Sequence, residues 1–435
     1  MKYMKKISFV LILCIILPIL GGCASDAFDS TEYTVDTQAG VDVPESVVDT
    51  ISEDEVFPAP PEPAETKVSF LAVGDNIIYN GQIREAKTNA KDTPELEHDF
   101  SPMYANVAEI IASYDLAFVN QETPMAGKQF GYDHYPSFNS PQELGDDLIE
   151  LGFDIFNIAT NHMLDKGEDG FAGTMEYFKS KDVMMVGGYE DEDDFYNIRI
   201  VEKNGIKIAV VGLTYGVNGK NHSADTYIPY IYEKDLTRYK GADPADSDRL
   251  VKWIDKAEQE ADVVIVSMHW GAEYNQKPTA EQRRLAGVIA DAGADIILGH
   301  HTHCIQPIEW IEGKDGNKTL CFYSLGNFTS ETDETVSLVG GLATFDIILH
   351  KTDGVRIENV QFTPTVMDYR APYKGGNKFE CNRVYLLEQY TDELCAGHSI
   401  ISYFQKKLNM NTLHEYVFRA IDSQYLPKTY LESLS

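Results

Sequence analysis

Basic residues are scarce in this chain: 36 lysines and arginines stand against 69 aspartates and glutamates in 435 residues, a formal charge of −33. No basic stripe is available to neutralise phosphates, which excludes a nucleic-acid partner. Between residues 24 and 66 lysine and arginine are absent, whereas twelve acids and a proline-rich run at 58–63 are present. Such a composition cannot bury enough apolar surface to offset its ordering entropy, so residues 23–66 read as a disordered acidic tether. Cysteine is sparse too, six in all, and no pair has the spacing of a zinc site. The strongest apolar run, residues 7–20, has fourteen residues. A membrane-spanning helix needs roughly 20.

That run has a meaning of its own. Lys2, Lys5 and Lys6 precede it, and it ends in Leu20, Gly21, Gly22 and Cys23. The pattern resembles the lipobox of bacterial lipoproteins, in which the cysteine is acylated and becomes the mature N-terminus. It implies a signal peptide over residues 1–22, a lipid on Cys23, and a place on the extracytoplasmic face of the cell membrane. At about 0.8 kcal/mol per buried CH₂, two or more acyl chains would hold the protein there almost permanently. Without the three leader lysines the formal charge becomes −36, and without the tether's twelve acids it becomes −24. An anionic substrate must therefore be held by cations or a local cluster, not by the overall field. Cys304, Cys321, Cys381 and Cys395 remain in a disulfide-permissive space, and their spacing specifies no pairing.

From residue 67 onward, short apolar strands alternate with amphipathic helices, the pattern of an α/β fold. Strands are expected at 67–73, 115–119, 153–159, 183–186, 262–267 and 296–298. Helices are expected at 102–113, 141–152, 171–180, 246–260 and 279–292. Residues 197–214 read as a hairpin about Asn204 and Gly205. Four further strands are expected at 305–310, 319–323, 341–350 and 355–362. The tail, residues 366–435, reads as partly helical, over 400–408 and 413–425. His134, in an aromatic loop at 127–139, reads as a surface histidine.

Chemistry-bearing residues follow the strands. Asp75 comes after the first, Glu122 after the second, and Asn161 and His162 with Asp165 after the third. His269 follows the fifth, and Gly299, His300, His301, Thr302 and His303 follow the sixth, with Gly299 expected to let the backbone turn out of the sheet. The C-terminal ends of parallel strands converge on one edge, so these residues can meet in space. Oxygen and nitrogen donors without thiolate suit Mn²⁺, Fe or Zn²⁺.

The order Gly-Asp, Asn-x-Glu, Thr-Asn-His, His-Trp-Gly, Gly-x-His-x-His and Ser-Leu-Gly-Asn-Phe, ending at Phe328, resembles the poly-γ-glutamate capsule biosynthesis proteins of CapA type. These are placed in the calcineurin-like metallophosphoesterase superfamily. The resemblance implies a four-layer αββα sandwich with mixed sheets over residues 67–365 and a pair of divalent cations at the sheet edge. By matching positions, Asp75 and His303 would bind one cation and Asn161, His269 and His301 the other, with Glu122 bridging. His162 would protonate a leaving group and Asp165 would orient it, whereas His300 falls on no ligand position. One departure stands out. Phosphoesterases of this type usually begin Asp-x-His, and here Ile77 stands where the histidine would be, leaving the Asp75 position a ligand short. Two roles follow. One is a metal-dependent hydrolase of a phosphoester or of an amide in the polymer. The other is a non-catalytic subunit that binds anionic polymer or the membrane synthase.

Overall fold

Residues 65–232, 248–352, 354–370 and 380–434 are described by a computed structural model. The leader, Cys23 and the tether up to residue 64 lie outside the described residues. The first strand, β1 (Glu65–Asn76), takes in the last two residues of the expected tether. Glu65 and Thr66 are drawn into the sheet because His350 and Leu349 stand opposite them in an antiparallel ladder. Hydrogen-bond partners so distant in the chain leave no trace in local composition.

Three parallel neighbours follow: β2 (Leu116–Gln121), β3 (Ile155–Asn157) and β4 (Met184–Val186). The chain then moves to a second sheet. Its hairpin of β5 (Arg199–Lys203) and β6 (Ile206–Thr214) turns at Asn204 and Gly205, both at positive φ, as a two-residue hairpin of this hand requires. Next come β7 (Val263–His269), β8 (Ile296–His300), β9 (Ile308–Glu312) and β10 (Lys318–Phe322), in the spatial order β5-β6-β7-β8-β10-β9. The chain returns to the first sheet through β11 (Asn327–Thr329), β12 (Val339–His350), β13 (Gly354–Arg370) and β14 (Glu380–Leu386). That sheet runs β14-β13-β12-β1-β2-β3-β4, with β11 paired to β1. Both sheets mix parallel and antiparallel pairs.

The layers follow from which side chains each strand turns to each face. Val68, Phe70 and Ala72 of β1 meet Ile208, Val210, Ile265 and Leu298 of the second sheet in one buried core. The alternate residues Leu71 and Val73 face the helical layer of Ile83, Met103, Leu148 and Phe178. On the second sheet, Val211, Val264 and Ile297 pack against Trp253, Ile254, Leu285 and Ile289 from the helices Asp248–Glu260 and Ala280–Asp291. The result is helix, sheet, sheet, helix, the expected four-layer sandwich. Strands buried on both faces need continuous apolar runs, which is why they were legible.

Several elements differ from expectation. The helix expected at 102–113 is two short ones, Ser101–Tyr104 and Ala108–Ala112, and Asn106 between them donates to the Val384 carbonyl of β14 at 3.1 Å. The strand expected to end at 362 runs to Arg370 without a break, and Leu413, Val417 and Tyr430 join the core cluster between the sheets. The tail beyond 365 is thus laddered and packed into the sandwich. Of its expected helices, 400–408 shortens to Ser399–Ser402 and 413–425 becomes Met410–Ala420. Cys304, Cys321, Cys381 and Cys395 are all free thiols.

Candidate metal centre

Asp75 is set by close backbone packing. A Cβ on Gly74 would lie 1.9 Å from the Gly326 carbonyl oxygen, so only glycine allows β1 to approach there, and the Asp75 amide then donates to that oxygen at 2.9 Å. A file of amides orients the carboxylate. Asn157 Nδ2 donates to Asn120 Oδ1 at 2.7 Å, and Asn120 Nδ2 donates to Asp75 Oδ1 at 2.8 Å. Each sits on the neighbouring parallel strand, in register.

The histidine loop leaves β8 differently from expectation. Gly299 is not the turn; it remains in the strand, where a Cβ would lie 1.9 Å from the Tyr323 carbonyl oxygen. The turning falls to His301 and His303, at φ 84° and 56°. Non-glycine residues seldom adopt that conformation, and where they do the surrounding structure must enforce it. Asp75 is part of that enforcement: its Oδ2 accepts from the His301 amide at 3.2 Å and meets His303 Nδ1 at 3.0 Å.

The sequence-expected ligands come together. Glu122, His269 and His301 each offer a donor atom within 4.8 Å of the others, and Asp75, Glu122 and His303 do the same. Glu122 is common to both groups. Asn161 Oδ1 lies 2.8 Å from His269 Nε2, adding an amide to the first group. A third group was not anticipated: Glu273 lies within 4.8 Å of His301 and His303. Its only sequence signal is its place four residues after His269. His300 stays apart, stacked on Phe118 at 5.7 Å with its Nδ1 3.8 Å from Asp75.

The donors fit cations on electrostatic grounds. Glu122 is 1 % exposed, and neither of its oxygens has a hydrogen-bond partner. A buried carboxylate in that state is costly unless something positive meets it. Burial, reinforced by the charge of Asp75, pushes its pKa well above the carboxylate range. Burial and neighbouring histidines hold His269 well below 6.5, and burial likewise depresses His301 to about 3 and His300 to about 4. Neutral imidazole is the form that binds a metal. His303 is the exception: burial opposes its charge, but Glu122 and Asp75 outweigh burial and raise it to about 9. Burial works against the charge of Asp75 as well, and its bond to His303 still leaves it below 3.8. In this state the proton on His303 stands where a cation would satisfy the same carboxylates. Cys304, next in the chain, is buried and its thiol is raised to about 12, so it offers no thiolate.

Beside this centre lies a cleft of about 760 Å³, whose walls include Arg84, His162, Glu273, His303 and, from the tail, Tyr403 and Phe404. His162 Nδ1 donates to Asp165 Oδ2 at 2.8 Å, since the carboxylate can only accept, which leaves Nε2 free to exchange a proton. The Phe138 amide also donates to Asp165 Oδ2 at 2.8 Å, and the Phe138 ring stands edge-on to His162 at 4.8 Å. Asp165 is thereby fixed from two sides.

Comparison with known proteins gives this architecture a family. Residues 69–332 match the family described as bacterial capsule synthesis protein PGA_cap. The capsule biosynthesis protein CapA of Bacillus anthracis is 33% identical over 355 residues, covering 81% of this chain and 79% of that protein. The PGA biosynthesis protein CapA of Bacillus subtilis is 39% identical over 182 residues, covering 42% of this chain and 43% of its own length. Among solved structures, a phosphatase from Mycoplasma pneumoniae aligns with a TM-score of 0.41 at 14% identity, over 69% of this chain and 94% of that one.

Proposed function

We propose, since the chain belongs to the bacterial capsule synthesis family of CapA type, that it is a metal-dependent hydrolase acting in the assembly of an anionic capsule polymer. The observation that carries this reading is the position of His162 and Asp165. A structural metal site needs no proton donor, yet His162, held by Asp165, borders the same cleft as Glu273 and His303.

Asp75, Glu122 and His303 would hold one divalent cation, and Glu122, Asn161, His269 and His301 the other. Cations so held supply Lewis acidity and offset negative charge that develops on the substrate. The remaining work belongs to side chains. Asp165 keeps the proton of neutral His162 on Nδ1 and fixes the ring's orientation. When charged, His162 presents an N–H at Nε2 toward the cleft and can hand that proton to a departing oxygen or nitrogen. Arg84 brings positive charge to an otherwise acidic wall, where an anionic chain would need it.

The test combines metal analysis of the domain from residue 67 onward with assays of phosphodiester and γ-glutamyl hydrolysis. Bound metal, with turnover that falls roughly 10²- to 10⁴-fold in His162→Ala and metal content unchanged, supports a hydrolase. A second reading is favoured by Ile77, whose apolar side chain lines the cleft beside Asp75's position and cannot ligate. On that reading the protein is a non-catalytic subunit that binds polymer or the membrane synthase. Metal without turnover on either substrate class would select it.

For location, the reading is a lipid-anchored protein on the extracytoplasmic face of the cell membrane, carried by Cys23 and lifted by the acidic tether. The motif ending at Cys23 and the charge of residues 24–66 support it. Among the described residues no helix is long and apolar enough to cross a membrane. Cys23→Ser should release the protein or leave its leader uncleaved; unchanged processing and detergent-dependent retention would count against lipidation.

A further inference from the structure

The two cation positions are unequally supplied if only the expected ligands are counted. Glu122, His269 and His301 form one group, with Asn161 as a further donor, whereas Asp75, Glu122 and His303 stand without a fourth. We propose that Glu273 is the missing ligand: it closes the Asp75–His303 position from the cleft side and makes that position selective for a hard, oxygen-preferring divalent cation such as Mn²⁺. The proposal rests on the metal-centre reading above.

Its first support is placement. The Glu273 carboxylate lies within 4.8 Å of donor atoms on His301 and His303, and Glu273 itself has no hydrogen bond or ion pair with any described residue. An acid on a free loop would place nothing reliably, but this loop is held at several points. Gly271 turns it at φ 95°, and Tyr274 follows at φ 61°, a left-handed conformation for a bulky residue. The Tyr274 amide donates to the Thr302 carbonyl at 2.7 Å, tying the residue after Glu273 to the residue between the two histidines. Gln306 Nε2 donates to the Asn275 carbonyl at 2.7 Å, and Gln282 Nε2 donates to Gln306 Oε1 at 2.8 Å. From the tail, the Tyr416 carbonyl accepts from Gln276 Nε2 at 2.9 Å. The loop is therefore tied to the histidine turn, and Glu273 is held beside it.

The second support is chemical contrast. On this proposal one position would draw on three carboxylates and one imidazole, Glu273 joining Asp75 and Glu122 through their common neighbour His303, and the other on one carboxylate, one amide and two imidazoles. Carboxylate-rich sets favour Mn²⁺, whereas imidazole-rich sets favour Zn²⁺. Two neighbouring positions in one chain would then select different metals.

The experiment is Mn²⁺ binding to the full chain, followed by the electron paramagnetic resonance of free Mn²⁺ and by calorimetry, after preloading with one equivalent of Zn²⁺. Wild type should take up Mn²⁺, and Glu273→Gln should weaken that uptake at least about tenfold while keeping its Zn²⁺. Glu273→Asp, which retains a shorter carboxylate, should recover part of the loss. Identical Mn²⁺ isotherms for wild type and Glu273→Gln would overturn the assignment while leaving the metal centre standing. Failure of the wild type to bind either metal would overturn the metal-centre reading and this proposal with it. Circular dichroism and melting temperature confirm folding of each variant, and the exposed loop position of Glu273 makes the isosteric change mild.

Discussion

The two halves of the candidate metal centre are built from the same kind of material and end up unlike each other. On the His269 side, His269 and His301 are buried, and burial keeps them neutral. On the Asp75 side, His303 borders the open cleft and is held charged by its carboxylate neighbours. Identical side chains thus sit in opposite protonation states a few ångströms apart. The difference lies in which influence prevails: burial and neighbouring histidines lower His269 and His301, whereas Glu122 and Asp75 outweigh burial at His303. On the proposed reading, a buried neutral site would hold a cation tightly, whereas a site at the cleft that must first give up a proton would exchange its cation more readily.

The strongest way to break this comparison is at the buried side. His269→Ala should lose the cation that survives purification, and activity with it; elemental analysis reads the first and turnover the second. If His269→Ala keeps its metal, the tight position has been assigned to the wrong residues. Asp75→Ala should have a smaller effect, leaving about one cation per chain and abolishing any rise in activity on adding Mn²⁺. A variant with both positions empty would show that Asp75 organises the whole centre and not one half.

A milder test uses a carboxylate in the same cleft that no candidate metal group includes. Glu331 is buried, and burial raises its pKa to about 8, with the charge of Arg84 opposing. The folded state holds this proton more firmly than the unfolded chain does. Its stabilising contribution is therefore complete below pH 4.5 and fades as pH rises through about 8. The metal-free protein should lose melting temperature over that window, and Glu331→Gln, which cannot ionise, should lose less. Equal slopes for the two proteins would mean that Glu331 reaches solvent. The smallest effect is expected from the tether: deleting residues 29–55 should leave the melting temperature unchanged.

How far the sequence alone reaches depends on whether a residue sits beside a regular signal. Asp75, Glu122, Asn161, His269 and the histidines of 300–303 each follow an apolar strand, and strand ends in α/β folds converge, so their meeting was legible. Glu273 was not, because it follows a glycine turn and no strand. Nor was β14, which is part of the sheet through its ladder with β13. Asn120 and Asn157 look like ordinary strand-end amides until parallel register places them in a file leading to Asp75.

Local pattern by itself determined that this would be a layered α/β protein, because strands buried on both faces demand unbroken apolar runs and amphipathic helices demand their own period. It also determined every candidate donor except Glu273, since few residue types can hold a divalent cation and they recur at strand ends. Tertiary structure decided the rest. The left-handed turns at His301 and His303, the burial of His269 and the placing of His303 at the cleft all depend on residues far away in the chain. So does the delivery of Glu273 by a loop tied to Thr302, Gln306 and Tyr416. Protonation state and ligand number are properties of surroundings, and surroundings exist only once the sheets have packed.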